Sequence, residues 1–184
     1  ANDAIFMYNV DEAKAYRVTS GYYSDSNPIF STNGKYLYYF TDRQFNAAYS
    51  GLGDGTWIYP NNRQLAAIGL TKDAPDLLNA KNDEVAAEKK SEPAPAKPDD
   101  KGDKGKKPAE PEKKPEPAVT VRVDWNDIES RLTILPPKPG NLGNLMAFDG
   151  KIVFRRFPIT GDQDGKPTLV FYDIEKREEK KILD

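Results

Sequence analysis

The chain of 184 residues has no cysteine and no histidine. Without cysteine, neither a disulfide framework nor a thiolate metal site is available. Without histidine, the usual general base, the commonest metal ligand and the ordinary activator of a nucleophile are all missing together. No apolar run approaches the roughly 20 residues that a membrane-spanning helix needs. A formal net charge of −2 argues against a nucleic-acid-binding domain, which normally carries a basic stripe. No secretory signal opens the sequence, which begins "ANDAIFMYNV" in mid-pattern. That abrupt start, and an equally abrupt end at "KKILD", read as a piece of a longer polypeptide. The expected compartment is the cytoplasm. The periplasm is the alternative, because a truncated start would hide a signal.

What is present falls into two kinds of sequence. Residues 84–118, "EVAAEKKSEPAPAKPDDKGDKGKKPAEPEKKPEPA", carry no aromatic residue and one branched aliphatic, Val85. Nine lysines balance nine acids there, which makes the segment a neutral polyampholyte rather than a basic arm. Such a composition cannot bury enough apolar surface to offset its ordering entropy. It reads as a disordered, partly polyproline-like insertion between strand-rich segments at 1–83 and 119–184.

Outside the insertion the chain repeats itself. "FMYNVDEAKAYRVTS" near the start matches "VFYDIEKREEKKILD" at the end, and "NPIFSTNGKYLYYF" is echoed by "NLMAFDGKIVFRRF". In the second pair a short strand meets Asn-Gly or Asp-Gly, the preferred chemistry of a two-residue hairpin, and an aromatic-rich strand follows. Repeats of this size point to arrays of small sheets. Residues 5–20 supply the last two strands of one unit. Residues 27–41, Gln64–Leu70 and part of Val119–Leu135 supply the four strands of the next. Asn144–Phe148, Lys151–Phe157, Thr168–Ile174 and Glu178–Leu183 form the last unit. The fold class is all-β, about two and a half four-stranded antiparallel blades of a β-propeller. "KYLYYF" carries large side chains on both faces of one strand, which a blade covered by two neighbours accommodates. Tyr36, Tyr38 and Phe40 are expected to face one neighbour, and Leu37 and Tyr39 the other. A β-sandwich is the competing architecture, but its outer faces should be polar.

Few residues are candidates for chemistry. Asp162-Gln163-Asp164-Gly165 looks like a fragment of a calcium loop but lacks the later Glu, and reads as a polar hairpin loop. Gly51-Leu52-Gly53-Asp54-Gly55 has no Lys-Ser/Thr after it, so it reads as a loop rather than a phosphate cradle. Ser31 and Ser130 lie near Lys35 and Arg131 in sequence, with nothing to indicate an activated pair. No catalytic residue, no cofactor site and no metal site is therefore assigned. The most interesting connection holds Phe45, Tyr49, Trp57 and Tyr59. Aromatics there can form a peptide-contact ledge, since they offer large area at low entropy cost, or can fold back as a plug over the blade.

At these residues the sequence resembles a known family. "SNPIFSTNGKYLYYFTDRQFNAAYS", "TWIYPNNRQLAAIGL" and "VRVDWNDIESRLTILPPKPGNLGNL" are similar to the second propeller of bacterial tricorn-type proteases. The matching positions are Pro28, Phe30, Ser31, Gly34 and Lys35 to Tyr38, then Thr56 to Pro60, then Asp124, Ile128, Arg131, Leu135 and Pro136. Thr32-Asn33 stands where the family usually has Pro-Asp, and the 51–55 glycine run replaces an acidic and aromatic lead-in to Trp57. The resemblance implies a non-catalytic propeller segment of a serine peptidase that gates or guides peptides to an active site in another domain. The family's catalytic Ser, His and Glu lie in other domains, so none is assigned a position here. Its implied partners are peptides or unfolded polypeptides, the adjoining blades, and PDZ and catalytic domains of a homo-oligomeric parent. No nucleic acid and no membrane is implied. The alternatives are a TolB-like interaction propeller without protease activity, or the propeller lid of a prolyl-oligopeptidase-type enzyme.

Overall fold

The computed structural model describes residues 2–45, 47–49, 55, 57–79 and 119–183. The 84–118 insertion and Gly51 to Asp54 lie outside them. Twelve strands run along the described chain, with no α-helix. They begin with β1 (Phe6–Asn9), β2 (Lys14–Arg17), β3 (Asp25–Phe30) and β4 (Tyr36–Thr41). Next come β5 (Ala48–Tyr49), β6 (Trp57–Ile58), β7 (Gln64–Gly69) and β8 (Leu132–Ile134). The last four are β9 (Asn141–Phe148), β10 (Lys151–Phe157), β11 (Thr168–Asp173) and β12 (Glu178–Leu183). The all-β class expected from the sequence is the one observed.

Two antiparallel four-stranded sheets dominate, ordered β3-β4-β7-β8 and β9-β10-β11-β12, with β1–β2 as a separate hairpin. These are the two meanders and a half that the repeats call for. Four-stranded meanders of this kind are the blades from which propellers are built. β7 and β8 pair directly, Ala66 to Ile68 against Leu132 to Ile134, although the 80–118 segment separates them in sequence. The residues up to Asn79 and from Val119 belong to one compact unit.

β4 is buried at every position. Tyr36, Tyr38 and Phe40 share a core with Leu142, Leu145, Ile152 and Phe154 of the second sheet. Leu37 and Tyr39 pack with Ile5, Val18 and Ile128 on the opposite side, where Trp125 also lies. Each side chain set thus has its own neighbour, as the sequence pattern requires. The same repeat places a bulge in the first strand of each four-stranded sheet. Asn27 in β3 and Asn144 in β9 take φ of 54° and 55°, and the ladders shift register beside them, between Ser26 and Ile29 and between Val153 and Arg155. Asn tolerates the left-handed region better than other non-glycine residues, which suits it to this position.

Local geometry refines these expectations. The Asp149-Gly150 turn is the expected two-residue hairpin, with Phe148 opposite Lys151. The Asn33-Gly34 turn is longer, with the Ser31 N–H bonded to the Tyr36 carbonyl across four residues. Only Gly34 and Gly150 have positive φ, while Asn33 and Asp149 do not. The first turn closes through the Gly34 N–H to Ser31 C=O bond of 3.0 Å. Ser31 Oγ then accepts the Tyr36 N–H at 3.0 Å and donates to Asn33 Oδ1 at 2.8 Å, so the side chains hold the chain reversal. At Gly34 an added Cβ would also lie 2.7 Å from Val119 Cγ1. The fourth strand of the first sheet, expected within Val119–Leu135, is β8 at the end of that range; Val119 to Asp127 runs as irregular chain and leads into a single 3₁₀ turn at Ile128–Arg131. The connection from β4 to β7 also contains the small β5–β6 hairpin, which was not expected from the sequence.

Candidate functional site

The β4–β7 and β10–β11 connections leave the same end of their sheets, and they meet. The Thr160 N–H donates to Asn61 Oδ1 at 3.0 Å, bridging one blade to the next. Asn61 adopts φ 57° to present that oxygen. Just inside, the strand register fixes a charged pair. Thr41 is opposite Gln64, so the flanking residues Asp42 and Arg63 are neighbours, with Arg63 Nε 3.7 Å from Asp42 Oδ1. Arg63 Nη1 also donates to the Leu142 carbonyl at 2.8 Å. Burial raises the Asp42 carboxyl above its ordinary pKa, and the adjacent Arg63 partly opposes that. A cleft of about 280 Å³ opens beside the pair, lined by Asn62, Asn141, Gly143 and Phe157 among others.

The aromatic connection sits above this end. Phe45, Trp57 and Tyr59 are all exposed. Phe45 and Tyr59 meet edge to face, their ring centroids 5.5 Å apart and the planes at 81°. Tyr49 lies opposite Trp57 in the β5–β6 backbone ladder. The hairpin thus carries Tyr49 and Trp57 in its paired strands and is flanked by Phe45 and Tyr59, whose rings touch. Nearby, Arg43 binds Glu129 at 2.6 Å and lies 4.7 Å from the Tyr23 ring centroid. Glu129 also accepts the Ser20 N–H at 2.9 Å, which ties the 3₁₀ turn to the end of β2.

The other candidates have structural work. Asp162 Oδ1 accepts the Gly165 N–H at 2.9 Å and the Asp164 N–H at 3.2 Å, so the DQDG stretch is a self-bonded loop. Ser130 Oγ donates to the Asp127 carbonyl at 2.6 Å. Among the described residues no group of three or more Asp, Glu, His or Cys is placed to hold a metal. This end of the molecule thus combines exposed aromatic faces with a half-buried ion pair. Asp42, Arg43, Arg63 and Asn61 went unnoticed in the sequence, because their partners are set by strand register and by chain distant in sequence.

The two four-stranded antiparallel sheets and the β1–β2 hairpin define an all-β chain. No family model matches the chain. It is 26% identical over 179 residues to tricorn protease homolog 2 of Streptomyces coelicolor, an alignment covering 91% of this chain and 14% of that protein. A crystal structure of the tricorn protease superposes with a TM-score of 0.64 at 16% sequence identity, covering 98% of this chain and 15% of that one. In sequence and in fold, the chain resembles part of a tricorn-type protease along nearly its whole length. It spans about one seventh of the relatives it matches.

Proposed function

We propose that this chain is a non-catalytic propeller segment of a longer tricorn-like serine protease, where it guides peptides toward a catalytic site carried by another part of the polypeptide. The observation that carries the reading is the β4–β7 connection, which holds the β5–β6 hairpin and leaves Phe45, Trp57 and Tyr59 exposed at one end of the blade. Exposed aromatics grouped at one edge are the usual anchors of polypeptide recognition. The cleft beside Asp42 and Arg63 supplies polar groups within the same end. The similarity to tricorn proteases supplies the peptidase context.

The test compares substrates of two lengths in the longer protein. Phe45→Ala with Tyr59→Ala should slow turnover of long unfolded polypeptides several-fold and leave a short chromogenic peptide unaffected. Equal loss on both would show that the hairpin supports the fold rather than guiding substrate. Absence of any peptidase activity in the longer protein would favour an interaction propeller of the TolB kind.

A further inference from the structure

The two hairpins that repeat within the chain share a turn geometry but not their charges. β1–β2 and β11–β12 align in sequence, and Ala13 and Arg177 take φ of 51° and 57° at the same place in their turns. Asn9 Oδ1 and Asp173 Oδ1 each accept a backbone N–H of the turn that follows. Ala15 stands where the last hairpin has Glu179. The turn thus forms with alanine at both places, and its geometry gives no reason for Arg177 or Glu179. What these two side chains share is a cavity.

The cavity has a volume of about 490 Å³. The β8–β9 connection contributes Lys138 and the prolines around it, and the last sheet contributes Arg156, Tyr172, Arg177 and Glu179. Three cations against one acid leave two positive charges in excess. The acid is already committed. Glu179 accepts Arg156 Nε and Nη2 at 2.5 Å each, and Arg156 Nη2 also donates to the Lys138 carbonyl at 2.8 Å. Arg177 donates to the Asn79 carbonyl, and among the described residues no second acid lines the cavity. Its inner wall is Tyr172, which is 1% exposed and whose hydroxyl has no hydrogen-bond partner among the described residues. The buried Tyr36 hydroxyl, by contrast, donates to a backbone carbonyl. A phenol left unpaired in this way carries a desolvation cost that an acceptor in the cavity recovers.

We propose that this cavity binds a small phosphate monoester, with the Tyr172 hydroxyl, Lys138 and Arg177 donating to the phosphate oxygens. A phosphate monoester carries close to two negative charges at neutral pH, which matches the excess on the lining. A carboxylate would neutralise only half of it. Three terminal oxygens also suit three donors that come from separate places in the chain. Pro136, Pro137 and Pro139 offer apolar surface and no N–H, and they cover the organic part of the ester. The volume leaves room for that part, since small-molecule sites usually measure about 300–1,000 Å³.

The test titrates the full chain with phenyl phosphate, inorganic phosphate and benzoate, following the amide resonances of Lys138, Tyr172 and Arg177. Phenyl phosphate should shift them saturably and bind roughly tenfold more tightly than either of the other two. Tyr172→Phe removes only the hydroxyl, so it should weaken that binding roughly tenfold without lowering the melting temperature. Lys138→Ala should weaken it to a similar degree. Lys166→Ala, at an exposed lysine outside the cavity, should leave it unchanged. Undiminished affinity in Tyr172→Phe, equal weakening by Lys166→Ala, or equal binding of benzoate overturns the proposal. Equal affinity for inorganic phosphate would make the free ion the ligand and overturn the ester. A lower melting temperature in Tyr172→Phe would mean the hydroxyl is bonded within the protein, which overturns it too. No saturable shift with any of the three probes removes the site altogether.

Discussion

Two buried tyrosines on one strand have opposite fates at the hydroxyl. Tyr36 donates to the Pro75 carbonyl at 2.5 Å. The Tyr39 hydroxyl has no hydrogen-bond partner among the described residues. Burial raises the Tyr39 pKa, the nearby Asp25 charge raises it further, and the Arg43 guanidinium opposes both. A satisfied buried hydrogen bond contributes about 1 kcal/mol, whereas an unpaired buried hydroxyl is a cost that phenylalanine removes. Tyr36→Phe should therefore lower stability by about 1 kcal/mol in urea melts, and Tyr39→Phe should be neutral or raise it by up to about 1 kcal/mol. A larger loss for Tyr39→Phe would show a partner at its hydroxyl. That both rings are core was legible in the "YLYYF" pattern. Which hydroxyl is bonded was not, because the acceptor comes from chain that has already left the next strand.

At the scale of elements, repetition made the strands legible, and local backbone geometry escaped it. β4, β7, β10, β11 and β12 stand within a residue of where the pattern puts them. The bulges at Asn27 and Asn144 were hidden because Asn is also an ordinary strand-end residue. β8 was lost in a longer segment because Val121 and Val123 look like strand while their backbone pairs with nothing regular. The β5–β6 hairpin has only two residues on each side, too few for any alternation to register. Because β7 and β8 pair with each other directly, and the flanking residues up to Asn79 and from Val119 already pack on the same unit, the 80–118 segment is expected to enter stability mainly through loop closure. Each doubling of loop length costs only about 0.6 kcal/mol. Replacing residues 80–118 with a short Gly-Ser bridge should thus leave the denaturation free energy within about 1 kcal/mol. A loss of several kcal/mol on denaturant titration would show that the segment contributes contacts of its own.

Across the whole molecule, the core between the two sheets was legible, and the charged end beneath the aromatic hairpin was not. Large side chains on both faces of β4 could be read directly. The Asp42–Arg63 pair depends on the register of β4 against β7, which sequence spacing across a 22-residue connection does not fix. The joint itself centres on Phe40 and Phe154, whose rings meet edge to face at 6.2 Å. Truncating a fully buried phenylalanine costs about 3–5 kcal/mol. Phe154→Ala should remove that much while keeping a single transition, since the side chain serves both sheets at once. Two resolved transitions in calorimetry would mean that the sheets fold as separate units.

The double-sided burial of β4 has a consequence for how the chain finds its pairing. In a strand with one wet face, a slip of one residue turns apolar side chains into water and is rejected at once. Here a slip would only exchange Tyr36, Tyr38 and Phe40 with Leu37 and Tyr39, one greasy set for another. Water cannot detect the mistake. The reading frame has to be set at the strand's end, where Ser31 Oγ grips the Tyr36 N–H and Gly34 takes φ 67° at a place where an added Cβ would meet Val119. The hairpin must therefore be correct before its neighbours close over it, because afterwards nothing remains to proofread it.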